Sequence, residues 1–94
     1  MTRPAAVPTV QIDNERVKVV EWRFPPGAET GYHRHGLDYV VVPMTTGMLL
    51  LETPSGDIHS PLTAGVSYTR MKGVEHNVVN ANDFEFTFVE IELR

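Results

Sequence analysis

His33 and His35 are the residues of this chain whose type and spacing speak most directly of chemistry. In an extended segment, side chains two positions apart leave the same face with Cβ atoms about 6 to 7 Å apart, so both imidazoles can reach one ion. A neutral imidazole nitrogen is the commonest metal-binding group that proteins offer. His-x-His also arises on solvated strand faces, and taken alone the pair carries little weight. The chain has no cysteine, which excludes disulfides, thiolate zinc sites and cysteine nucleophiles. Any metal must therefore be held by nitrogen and oxygen.

The elements that would position such a pair are strands. No window of the sequence repeats apolar residues at three and four, and no capping residue opens a periodic run, so helix is not expected. Short segments rich in Val, Phe, Tyr and Thr instead alternate with Gly, Pro, Asn and Asp at intervals of about ten residues, the pattern of an all-β sandwich or barrel. The spacing predicts about nine or ten strands: 9–12, 17–24, 31–35, 38–43, 48–53, 58–62, 66–70, 74–79 and the stretch from 84 to 93. In the last of these the apolar residues move from even to odd positions at Phe88-Val89. Either a β-bulge lies there, or the strand is buried on both faces over its middle and exposes Glu90 and Glu92 near its end, as under a partner subunit.

Two glycine-framed motifs raise the value of the histidine pair. The first runs Gly27, five residues, His33-Arg34-His35 and a closing Gly47; the second runs Gly65, five residues, Met71-Lys72-Gly73, two residues, His76, three residues and Asn80. In this spacing the chain resembles the cupin superfamily, with Met71 standing where the second motif has proline. The resemblance spans Gly27 to Asn80, more than half of the chain. It implies an all-β fold, an antiparallel double-stranded β-helix or jelly-roll barrel. It also implies that His33, His35 and His76 converge inside that barrel on a divalent metal ion. The glycines themselves fit turns with or without the family, and they speak for fold, not function.

The chain departs from the pattern at the glutamate of the first motif. Three residues past His35 stands Tyr39 and four past it Val40, while the nearby acid, Asp38, falls one place early. A one-residue shift turns a side chain to the opposite face, so Asp38 becomes a ligand only if the Gly36-Leu37 turn is shortened. Tyr39 is expected to face inward and to hydrogen-bond to a metal-bound water or a ligand, a candidate catalytic group. Three neutral imidazoles suit zinc, iron(II), nickel or copper better than magnesium or calcium, which want oxygen ligands. They leave the ion's double charge uncompensated, which favours an anionic small-molecule partner.

The functional expectation is an enzyme on a small anionic organic molecule, oxygenase-like or isomerase-like, through the three-histidine centre. The alternative is a small-molecule-binding barrel without turnover, its metal site empty or degenerate. At 94 residues with 41% hydrophobic content, one domain over residues 1–94 is expected, with residues 1–8 as a flexible tail or an arm crossing to a partner. A core this small is expected to gain stability by pairing as a homodimer. The net charge of −4, with both signs mixed along the chain, argues against a nucleic-acid partner. No apolar run suits a signal peptide or a membrane helix, so a cytoplasmic protein is expected. His59 is read as a surface residue near a turn, Arg34 and Glu75 as outward charges, and Trp22, Phe24, Tyr32, Phe86 and Phe88 as core or interface packing.

Overall fold

The computed structural model describes residues 2–94, and among these residues it has nine strands and no helix. They are β1 (Val7–Asp13), β2 (Val17–Phe24), β3 (His33–Arg34), β4 (Tyr39–Pro43), β5 (Gly47–Thr53), β6 (Gly56–Leu62), β7 (Tyr68–Arg70), β8 (Glu75–Asn80) and β9 (Phe86–Leu93). A larger sheet has the order β1-β2-β9-β4-β7 and a smaller one β3-β8-β5-β6, with every strand pair antiparallel. This is the expected double-stranded β-helix. The turn between β1 and β2 closes on Asn14, whose Oδ1 accepts from the backbone N–H of Arg16 at 2.8 Å and of Val17 at 3.0 Å, a short polar side chain doing the work of a turn carbonyl.

The two sheets enclose a core of Phe24, Ala28, Tyr39, Val41, Leu49, Leu62, Val78, Phe86 and Phe88. Phe24 and Phe86 are wholly buried. Each withdraws a large ring from water, worth about 1.5 to 3 kcal/mol apiece. Trp22 packs against this core and Phe88 belongs to it, whereas Tyr32 lies outside the core and is exposed on the single chain.

The slip in the last strand has a different cause from either one expected. β9 keeps an unbroken register against β2, from Phe86 opposite Phe24 to Leu93 opposite Val17, and against β4. The bulge lies in β1 instead, between Val10 and Ile12. Because paired residues share a face, Phe86, Phe88 and Glu90 all point into the barrel with Val41, while Val89, Ile91 and Leu93 form the outer face. Glu90 is therefore an interior residue, not an exposed end of the strand; its side chain is 13% exposed.

Nor do residues 3–8 form a free tail. The Ala6 N–H donates to the Glu29 carbonyl at 2.8 Å, the Glu29 N–H to the Pro4 carbonyl at 2.9 Å, and the Arg3 guanidinium reaches Glu52 at 2.7 Å and Glu29 at 3.3 Å. Val7 and Pro8 already belong to β1. Two backbone hydrogen bonds and a buried Ala6 outweigh the freedom that the flanking prolines suggest.

Candidate metal centre

His33 and His76 are direct cross-strand partners on β3 and β8, and His35 follows β3 by one residue. The backbone holds His35 in place: its N–H donates to the Val74 carbonyl at 2.9 Å and its carbonyl accepts from Gly73 N–H at 2.7 Å. Gly73 makes that contact at φ +96°, a conformation costly for any other residue. His33 is oriented through Gly31, whose carbonyl lies 2.8 Å from His33 Nδ1 and whose N–H donates to Asn77 Oδ1 at 3.0 Å. A carbonyl can only accept, so Nδ1 carries the proton and the Nε2 lone pair is free. Asn77 is itself fixed, its Nδ2 donating to Glu29 at 2.7 Å and Glu52 at 2.8 Å.

The three rings come together, with one ligand nitrogen of each within 4.8 Å of the others. His35 Nε2 lies 3.0 Å from His33 Nε2 and 3.2 Å from His76 Nε2. Metal–imidazole bonds of about 2.0 to 2.1 Å place two ligand nitrogens about 2.9 Å apart at a right angle and about 3.4 Å apart at the tetrahedral angle. Both separations from His35 fall within that interval, and the three histidines could hold a metal ion. His35 and His76 are buried, and the burial, with the neighbouring His33, pushes each down to about pH 4, leaving both neutral and ready to ligate near pH 7.

A cavity of about 220 Å³ opens beside His76, walled by Val41, Leu49, Leu51, Val78 and Phe88 and carrying the polar groups of Tyr39, Ser60, Tyr68, Arg70 and Glu90. That is smaller than the roughly 300 to 1,000 Å³ of pockets for drug-sized ligands, and suits a molecule of few heavy atoms. Tyr39 faces inward as expected. Its ring stacks on His35 at 3.9 Å between centroids, and its buried hydroxyl has no hydrogen-bond partner. Burial and the charge of Glu90 raise its pKa well above the ordinary tyrosine value, so it stays a neutral donor. Asp38 is not in the cluster: exposed, it accepts from the Lys72 N–H at 2.8 Å. The Gly36-Leu37 turn is not shortened to bring it inward. His59, Arg34 and Glu75 are exposed, as expected.

Sequence reasoning missed Glu90, Asn77 and Arg70. Glu90 had a signal, since the period of two through Phe86 and Phe88 puts it on their face. Its Oε1 lies 3.9 Å from His35 Nδ1, and burial, then Glu92, raises it to about 7. Asn77 and Arg70 had none, because nothing local tells which way their strands face.

A β-barrel with three converging histidines defines the class, and comparison with known proteins agrees. The chain is 67% identical over 92 residues to the Beta-alanine degradation protein BauB of Pseudomonas aeruginosa, covering 98% of this chain and 97% of that one. It is 74% identical to a cupin domain of known crystal structure from Bordetella pertussis Tohama I, with a TM-score of 0.99 over 100% of this chain and 98% of that one. A double-stranded β-helix protein of Klebsiella pneumoniae shares the fold alone, at 22% identity and a TM-score of 0.79 over 99% and 80% of the two chains. No family model matches the chain. The chain belongs to the cupin superfamily.

Proposed function

We propose that His33, His35 and His76 hold one divalent transition-metal ion, zinc, iron(II), nickel or copper, and that the chain acts through it on a small anionic organic molecule. The observation that carries this reading is the approach of three imidazole Nε2 atoms to within 3.0 and 3.2 Å of one another along the cluster. A proton on one ring can satisfy two of these nitrogens at a time, whereas a cation between them satisfies all three lone pairs at once. Bound there, a metal supplies Lewis-acid or redox chemistry to the adjoining cavity. The chain's own residues do the rest: the apolar walls exclude water, Arg70 offers a cation for a carboxylate, and the Tyr39 hydroxyl donates to the ligand.

The name of the Pseudomonas aeruginosa relative places that protein in β-alanine degradation. Short carboxylates of that size suit the cavity, and we take them as the substrate class here. The test is metal analysis of untagged protein, wild type and His76→Ala, after exposure to each of the four ions. One ion per chain in the wild type and none in the variant is the expected result. Wild-type protein that retains no stoichiometric metal sinks the proposal.

We further propose that the chain pairs with a second copy through the outer face of the larger sheet, where Val19, Val40, Val42, Val89, Ile91 and Leu93 share one surface. An aliphatic face of this kind favours self-association. Ile91→Glu should convert a dimer into a monomer in sedimentation; a wild-type monomer overturns the assignment.

A further inference from the structure

The first cupin motif of this chain lacks its glutamate, yet the barrel interior holds a carboxylate beside the histidines. It arrives from another strand. The inward position after His35 is Tyr39 on β4, and the adjoining strand β9 places Glu90 opposite Val41, on the same inner face. Glu90 Oε1 approaches His35 on the Nδ1 side, at 3.9 Å, while the Nε2 of that ring turns toward His33 and His76. Stacking against Tyr39 holds the His35 ring, with an interplanar angle of 20°.

Glu90 is an expensive residue for the fold. Its side chain is 13% exposed, and among the described residues no group donates a hydrogen bond to it and no lysine or arginine pairs with it. A carboxylate with most of its water removed and no donor or counter-charge weakens the folded state, and an apolar side chain of similar size would do so less. A cation ligated through His35 Nε2 supplies that counter-charge and, by polarising the ring, makes His35 Nδ1–H a stronger donor toward Glu90.

We propose that Glu90 is the carboxylate of this metal centre, a positioning residue that fixes His35 with its Nε2 lone pair toward the ion and balances part of the ion's charge. This rests on the reading that the three histidines hold a metal. Groups that orient a ligating histidine in this way typically change metal affinity by about 10- to 100-fold.

The experiment measures zinc and cobalt(II) dissociation constants by chelator competition, and melting of the metal-free protein, for wild type, Glu90→Gln, Glu90→Leu and the exposed-site control Glu15→Gln. Glu90→Gln keeps an acceptor and loses the charge; Glu90→Leu loses both. Affinity is expected to fall about tenfold in the first and toward 100-fold in the second, with Glu15→Gln unchanged. The metal-free Glu90 variants are expected to melt at or above the wild-type temperature, an outcome that a merely structural glutamate does not allow. Affinities within threefold of wild type overturn the proposal, as does a loss of affinity that tracks a lowered metal-free melting temperature. Wild-type protein that binds neither ion overturns the metal reading itself, and this one with it.

Discussion

The two sheets bring polar groups into the same barrel on opposite terms. On the small-sheet side the groups are tied down: His33 by the Gly31 carbonyl, Gly31 by Asn77, and Asn77 by Glu29 and Glu52. On the large-sheet side the Tyr39 hydroxyl has no partner and Glu90 has only the ring of His35 at 3.9 Å. Buried polar groups are normally paired, because an unpaired one costs about 1 to 3 kcal/mol. The difference teaches a division of labour. The smaller sheet spends its hydrogen bonds on fixing His33, whereas the larger sheet leaves the Tyr39 hydroxyl free for whatever enters the cavity and turns Glu90 toward His35.

If that division is correct, damage to the tied side should be felt first in stability. Asn77→Leu strands the Gly31 N–H and leaves Glu29 and Glu52 to Arg3 alone, and should lower unfolding free energy by about 1 to 3 kcal/mol in urea titration while weakening metal binding through His33. Gly31→Ala forces an ordinary residue to φ +90° and should cost about 1 to 2 kcal/mol. Either variant unfolding like wild type would break the comparison.

Damage to the free side should be felt in binding and hardly in folding. Tyr39→Phe deletes an unpartnered hydroxyl, so its stability should match or exceed wild type by up to about 1 kcal/mol, while the metal-loaded protein binds small carboxylates more weakly by calorimetry. A destabilised Tyr39→Phe would show that the hydroxyl has a structural partner after all.

Acid sharpens the contrast in the metal-free protein. His35 and His76 sit at about 4 in the fold against an ordinary 6.5, so the unfolded chain takes up protons first and stability falls between pH 6.5 and 4. Glu90 sits at about 7 against 4.5, so the fold takes up its proton first and gains stability as pH falls from 7 to 4.5. Two histidines oppose one glutamate, and the net effect expected in melting curves is loss. Glu90→Gln should steepen it. The smallest effect belongs to His59→Ala, which removes an exposed ring remote from the cluster and should leave metal content unchanged.

Much of this was legible in one dimension. Turn residues at regular intervals with β-branched and aromatic runs between them predict an all-β sandwich or barrel, since those residue types suit a pleated half-buried surface, and the cupin resemblance narrows it to the barrel. The His-x-His spacing and the two motif frames single out His33, His35 and His76 together, and Tyr39 follows from period two. The first and last stretches were read less well. Residues 3–8 look free by composition but are held by Glu29, and the bulge assigned as one option to β9 belongs to β1.

The sequence by itself determined that His33 and His35 can share one ion, because strand periodicity is a local property of the chain, and its resemblance to the cupins implied that His76 joins them. Only the tertiary structure decided where the carboxylate comes from. Asp38 stands near the histidines in sequence but turns outward to Lys72, whereas Glu90, 55 residues beyond His35, comes within 3.9 Å of it. The physical reason is strand order: pairing of β9 with β4 is a long-range contact, and it alone sets which residue faces which across the interior of the barrel.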